Sequence, residues 1–158
     1  MSSLSLYTGL LAEAGRDTTH LGLPEGSSKE DYKHAEGINP VCGDRVSWYF
    51  KLKDNIITEI RYEVKGCLMN KASASFLARF IQGLTVEKAR NIYTEVARVS
   101  QASENHTPKG TDAHSADDLK VRPWLALAQI RDYPARRKCV MMAWDSFFEA
   151  LEKETFSI

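Results

Sequence analysis

Between Arg45 and Lys65 the chain alternates with period two, twice, about a short polar turn. Val46, Trp48, Phe50 and Leu52 alternate with Arg45, Ser47, Tyr49 and Lys51. After "KDN", Ile56, Thr58, Ile60, Tyr62 and Val64 alternate with Ile57, Glu59, Arg61, Glu63 and Lys65. Successive strand side chains point to opposite faces, so two such runs around an Asp-Asn turn specify an antiparallel hairpin with one buried face. Past Gly66 and Cys67 the period changes. Leu68, Ala72, Phe76, Leu77 and Phe80 now recur with helical spacing, and Gly83 is a natural stop. Thr85 is placed to cap a further helix running to about Val99, with Lys88 where a capping box would carry glutamate. A sheet with one apolar face needs a cover, and the amphipathic helices that follow provide it. The fold class expected is α+β, a small antiparallel β-sheet with helices packed on one face.

The flanking segments fit the same scheme. Residues 3–14 carry Leu4, Tyr7, Leu10 and Leu11 at helical spacing, with Gly15 as a terminator. The stretch from Gly22 to Gly37 is rich in glycine, serine and charge and reads as a surface loop. Ser100 to Asp118 is polar and reads as a loop or mobile insert. A short helix is expected around Trp124 to Ile130. A final one runs from about Arg136 to Lys153, with Cys139, Ala143, Phe147 and Ala150 in one stripe and Val140, Trp144 and Leu151 beside it. At 158 residues the expectation is one domain over 1–158 with a polar insert around 100–118.

The 21 basic and 21 acidic residues cancel, and no basic run is interleaved with aromatics, which argues against a nucleic-acid partner. No window approaches the ~18 apolar residues of a membrane span. The N-terminus lacks the charged n-region of a signal peptide. Three cysteines, an odd number, suit a reducing cytoplasm, where a thiol serves as metal ligand, nucleophile or inert filler.

All three cysteines fall at element ends: Cys42 in the turn before the hairpin, Cys67 where the second strand hands over to a helix, and Cys139 near the start of the last helix. In an extended segment residues i and i+2 project to the same side, so Cys42 and Asp44 would face one ion, with Gly43 letting the backbone bend. Three thiolates and a carboxylate form a four-donor set that tetrahedral zinc accepts, and the same thiolates suit an iron–sulfur cluster. Helix N-termini near Cys67 and Cys139, with Arg136, Arg137 and Lys138, are expected to lower the thiol pKa values. No C-x-x-C is present, so the spacing itself is not diagnostic.

The local sequences are more specific. "NPVCGD", "GCLMNKASAS" and "YPARRKCVMMAW" resemble, in order, the three cysteine blocks of the IscU/NifU-like iron–sulfur assembly family. Lys138 occupies the position before the last cysteine where IscU proteins carry histidine. With the long segment between the second and third cysteines, this resembles the SufU branch. The resemblance spans roughly Gly37 to Gly83 and Leu125 to Leu151. It implies one Zn2+ held by Cys42, Asp44, Cys67 and Cys139, and Cys42 as acceptor of persulfide sulfur from a SufS-type, pyridoxal-phosphate-dependent cysteine desulfurase. The alternative it implies is a non-catalytic scaffold carrying a transient [2Fe–2S] cluster. Val64 stands where members usually carry glycine, and Asn70 where they carry serine.

Other residues have plainer readings beside functional ones. Arg136 is placed to steady a persulfide or the Asp44 carboxylate, or is a solvated charge at a helix start. Lys138 marks the branch and is otherwise a surface residue. His106 and His114 flank Asp112 in the polar insert, where histidines commonly carry no ligand. Met141 and Met142 suit either a soft shell around Cys139 or ordinary core packing. Ser73 and Ser75 have no histidine partner, which excludes a hydrolase triad.

Overall fold

The computed structural model describes residues 3–101 and 116–156. The hairpin is present as β2 (Arg45–Lys53) and β3 (Ile56–Lys65), joined by Asp54 and Asn55, both at positive φ as the tight strand-to-strand turn requires. Trp48 faces Tyr62, and Phe50 faces Ile60, across the ladder. The regular alternation breaks at a bulge beside Lys51 and Leu52, where Leu52 pairs with Ile57 rather than Thr58. The bulge reverses the phase of the strand start, so Ile57 is fully buried and Ile56 is 37% exposed. Sequence alternation alone had placed Ile56 inward.

The sheet has a third strand, β1 (Lys33–Ile38), antiparallel to β2 in the order β1-β2-β3. It lies within the stretch expected to be a surface loop, preceded by a 3-10 turn at Lys29–Asp31 that Ser28 caps. The strand was masked because its inward residues are Ala35 and Gly37. They are small because a helix presses on them: a methyl group at Gly37 would lie 2.8 Å from Ser146 Oγ and 3.0 Å from Met142 Cγ.

The helices are α1 (Ser3–Arg16), α2 (Leu68–Ile81), α3 (Val86–Val99), α4 (Ala116–Val121) and α5 (Pro134–Phe156). Helix α3 starts as expected, with Thr85 Oγ1 accepting the Lys88 N–H at 3.2 Å. Gly83 supplies the positive-φ stop after α2. Residues 102–115 of the polar insert lie outside the described residues, but its last residues open α4, and Ser100 is a buried C-cap rather than loop. The segment Pro123–Asp132 is 3-10 helix, longer than the short helix expected there. Helix α2 is central: it is packed against α1, β3, α5 and the 3-10 segment, so small residues such as Ala72, Ser73, Ala74 and Ala78 are buried around it. Leu68, expected on its inner face, is 48% exposed at the helix start. Trp48, Phe50, Phe147 and Phe148 meet edge-on or tilted where α5 crosses the sheet. Among the described residues no helix is long and apolar enough to cross a membrane.

The outer edge of β3 is covered. The Tyr62 N–H donates to the His20 carbonyl at 3.0 Å, and the Gly22 N–H donates to the Tyr62 carbonyl at 2.7 Å. Arg61 holds that strap through its guanidinium, which donates to the carbonyls of Thr19, Leu21 and Gly22.

Candidate metal centre

The turn from β1 to β2 is built by Asn39. Its Oδ1 accepts the Val41 N–H at 3.1 Å, its carbonyl accepts the Gly43 N–H at 2.8 Å, and its own N–H donates to the Asp44 carbonyl at 2.9 Å. Pro40 follows, and Gly43 takes φ +76°, a conformation costing roughly 1–2 kcal/mol with a side chain. The chain therefore curls between Cys42 and Asp44. The two are brought together by this curl, not by the extended alternation expected from the sequence.

Helix α5 brings Cys139 beneath the turn. It starts at Pro134, earlier than expected, which puts Cys139 in its second turn. Two tryptophans and a serine fix its position. Trp48 Nε1 donates to the Ala143 carbonyl at 3.0 Å, Trp144 Nε1 donates to Ser73 Oγ at 2.9 Å, and Ser73 Oγ donates to the Val140 carbonyl at 2.8 Å. The last bond ties α2 to the residue beside Cys139. The outcome is a Cys42 Sγ to Cys139 Sγ separation of 3.4 Å, with Asn39 Nδ2 donating to Cys139 Sγ at 3.5 Å. The Cys42 and Cys139 sulfurs and an Asp44 carboxylate oxygen all lie within 4.8 Å of one another. Cys139 is buried, Asp44 is 8% exposed and Cys42 is open to solvent.

Burial pushes the Cys139 thiol up to about 12, reinforced by its hydrogen bond with Cys42 and by the Cys42 and Asp44 charges. The sequence had suggested a lowered value. The helix terminus is a turn away, and the Arg136 and Lys138 side chains are exposed, so desolvation and neighbouring negative charge dominate. At neutral pH the thiol keeps its proton, and an ion binding there must displace it.

Cys67 is the N-cap residue of α2, exposed, and outside the 4.8 Å cluster. Its neighbour Gly66 nevertheless touches the cluster: a methyl group at Gly66 would lie 2.7 Å from Asp44 Cγ and 2.7 Å from Asn70 Nδ2. Cys67 thus stands at the rim, one residue from the carboxylate. Two sulfurs and a carboxylate oxygen are donors that zinc and iron accept. Two sulfurs each about 2.3 Å from a tetrahedral ion stand roughly 3.8 Å apart, which 3.4 Å approaches with little side-chain rotation. The donor set fits such a metal.

The remaining candidates are not in the cluster of close donors. Arg136 lines a shallow cleft with Met69, Gln129, Ile130 and Tyr133. Met141 Sδ accepts from Ser100 Oγ and Met142 packs on Gly37, so both serve the core. His106, Asp112 and His114 lie outside the described residues. Sequence reasoning missed Asn39 and Gly66 as parts of the site. The Asn-Pro pair signalled the turn, but nothing local signalled the Asn39 bond to a cysteine 100 positions away.

Comparison with known proteins bears on the whole arrangement. Residues 16–140 match the model of the NifU-like N-terminal domain. The chain is 33% identical over 118 residues to "Iron-sulfur cluster assembly scaffold protein IscU" of Thermotoga maritima, covering 75% of each. It is 29% identical over 116 residues to "Zinc-dependent sulfurtransferase SufU" of Bacillus subtilis, covering 73% of this chain and 72% of that one. The fold superposes on the N-terminal part of a nitrogen-fixing NifU-like protein from Brucella abortus with a TM-score of 0.69 and 24% identity, covering 96% of both. With the family model spanning most of its length, this chain belongs to the NifU-like N-terminal domain family.

Proposed function

We propose that this chain is a zinc-dependent sulfurtransferase that accepts persulfide sulfur from a SufS-type, pyridoxal-phosphate-dependent cysteine desulfurase during iron–sulfur cluster assembly. The observation that carries the reading is the inequality of the two paired thiols: Cys42 is exposed on a curled turn, and Cys139, 3.4 Å away, is buried in a helix. One sulfur can leave the pair and reach a partner, while the other stays. Asp44, Cys139 and Cys42 would hold the zinc, with Cys67 as the fourth ligand from the rim. When bound, zinc keeps the thiols deprotonated at neutral pH. The Cys42 thiolate then attacks the outer sulfur of the desulfurase persulfide. The S–S bond breaks, the desulfurase cysteine leaves as thiolate, and Cys42 ends as the persulfide, with no added oxidant. The exposed Lys138, in place of a histidine beside Cys139, goes with this reading, as does the SufU relative. Three unbridged thiols go with a reducing, cytoplasmic setting.

A scaffold for a [2Fe–2S] cluster is the second reading, favoured by the Thermotoga maritima relative named as a scaffold. Anaerobic purification followed by elemental analysis and absorption spectroscopy separates the two. About one zinc per chain and no visible absorption is expected. Iron, inorganic sulfide and thiolate-to-iron absorption would establish the scaffold instead. With a desulfurase present, Cys42→Ser is expected to lose stimulation of cysteine turnover while folding normally. Undiminished stimulation would remove Cys42 from the acceptor role.

A further inference from the structure

Asn70 has no exposed surface, and among the described residues neither its amide nitrogen nor its amide oxygen has a hydrogen-bond partner. A primary amide offers two donor hydrogens and an acceptor oxygen, and buried groups of this kind are nearly always satisfied. A leucine would fill similar space without stranding polar atoms. The described residues therefore leave this polar group without a protein partner, and the surroundings say where its partner belongs. A methyl group at Gly66 would lie 2.7 Å from Asn70 Nδ2 and 2.8 Å from Asp44 Oδ2, so amide and carboxylate flank one point. Gly66 is not among the positive-φ glycines, so it is small for the sake of this approach. Asp44 is 8% exposed, and a carboxylate oxygen of it lies beside the Cys42 and Cys139 sulfurs. A buried carboxylate needs donors or a cation. Asn70 also lies three residues after Cys67, so the first turn of α2 presents both residues to the same rim.

We propose that Asn70 is a positioning residue of the metal centre, whose amide N–H takes one oxygen of the Asp44 carboxylate and leaves the other to the ion. The proposal rests on the reading that this cluster holds a metal. The amide decides which way the carboxylate faces, as groups behind metal ligands commonly do.

Three variants and two readouts test this. Zinc affinity is measured by competition with a chromophoric chelator, and thermal unfolding is followed on the metal-free chain. Asn70→Leu is expected to weaken zinc about 10–100-fold while leaving the metal-free melting temperature unchanged or higher. A purely structural asparagine would give the opposite pattern. Asn70→Ala, which a helix accepts, is expected to weaken zinc similarly and decides the matter where leucine does not fit. Asn70→Ser keeps a donor and is expected to recover much of the affinity, with a cobalt(II) spectrum nearer the parent's. Zinc binding in both Leu and Ala variants as tight as in the parent would overturn this proposal alone. A parent that takes up neither zinc nor cobalt would overturn the metal reading and this proposal with it.

Discussion

Ser73 shows how a single hydroxyl sets the candidate site. It accepts from Trp144 and donates to the carbonyl of Val140, so it links α2 and α5 one residue from Cys139. Removing it strands a buried indole N–H. Ser73→Ala is expected to cost about 1–3 kcal/mol in denaturant unfolding of the metal-free chain. Sequence reading excluded Ser73 from hydrolase chemistry and assigned it no other role, because a helix-to-helix hydrogen bond leaves no local pattern. The same reason hid Asn39, Gly66 and Asn70, whose importance lies in contacts with distant residues. Cys42, Asp44, Cys67 and Cys139 could be singled out because their neighbours form recognisable blocks. Three of the four meet in space, and the fourth stands at the rim.

Among the elements, those with a clear period were readable: the hairpin, α2 and α3 lie close to where their apolar spacing puts them, and α5, buried on most sides at its centre, was readable from its apolar content. β1 was not, since a strand whose inward residues are alanine and glycine has no hydrophobic alternation to display. The strap over β3 was equally silent, because it is held by backbone carbonyls. Arg61 gathers three of these, and its guanidinium is the strap's main fastening. Arg61→Ala is expected to destabilise the fold by about 1–2 kcal/mol. Amide exchange at Gly22 and Tyr62, whose hydrogen bonds close the strap, should quicken well beyond that of the β2 amides. Uniform protection across both strands would show that the strap holds without the guanidinium.

The acid stability of the whole molecule reaches into the same strap. Burial depresses the His20 pKa below its ordinary 6.5, with the Arg61 charge adding to the effect and Asp17 opposing it. A base with a lowered folded pKa contributes stability that is complete above its unfolded value and is lost as pH falls through the folded one. The chain is therefore expected to lose stability as pH drops below about 6.5, and less steeply as His20→Gln. Equal slopes for parent and variant would place the acid sensitivity elsewhere. Contact across long sequence distances also has an entropic side. Cys42 and Cys139 are 97 positions apart, one before the hairpin and the other in the last helix. Whatever bridges their sulfurs closes nearly two thirds of the chain into a ring, and a crosslink spanning about 100 residues removes roughly 4.7 kcal/mol of freedom from the unfolded ensemble. That is a large share of the ~5–15 kcal/mol that holds an ordinary domain together. A bridge between these two sulfurs would thus fasten a loop of nearly a hundred residues.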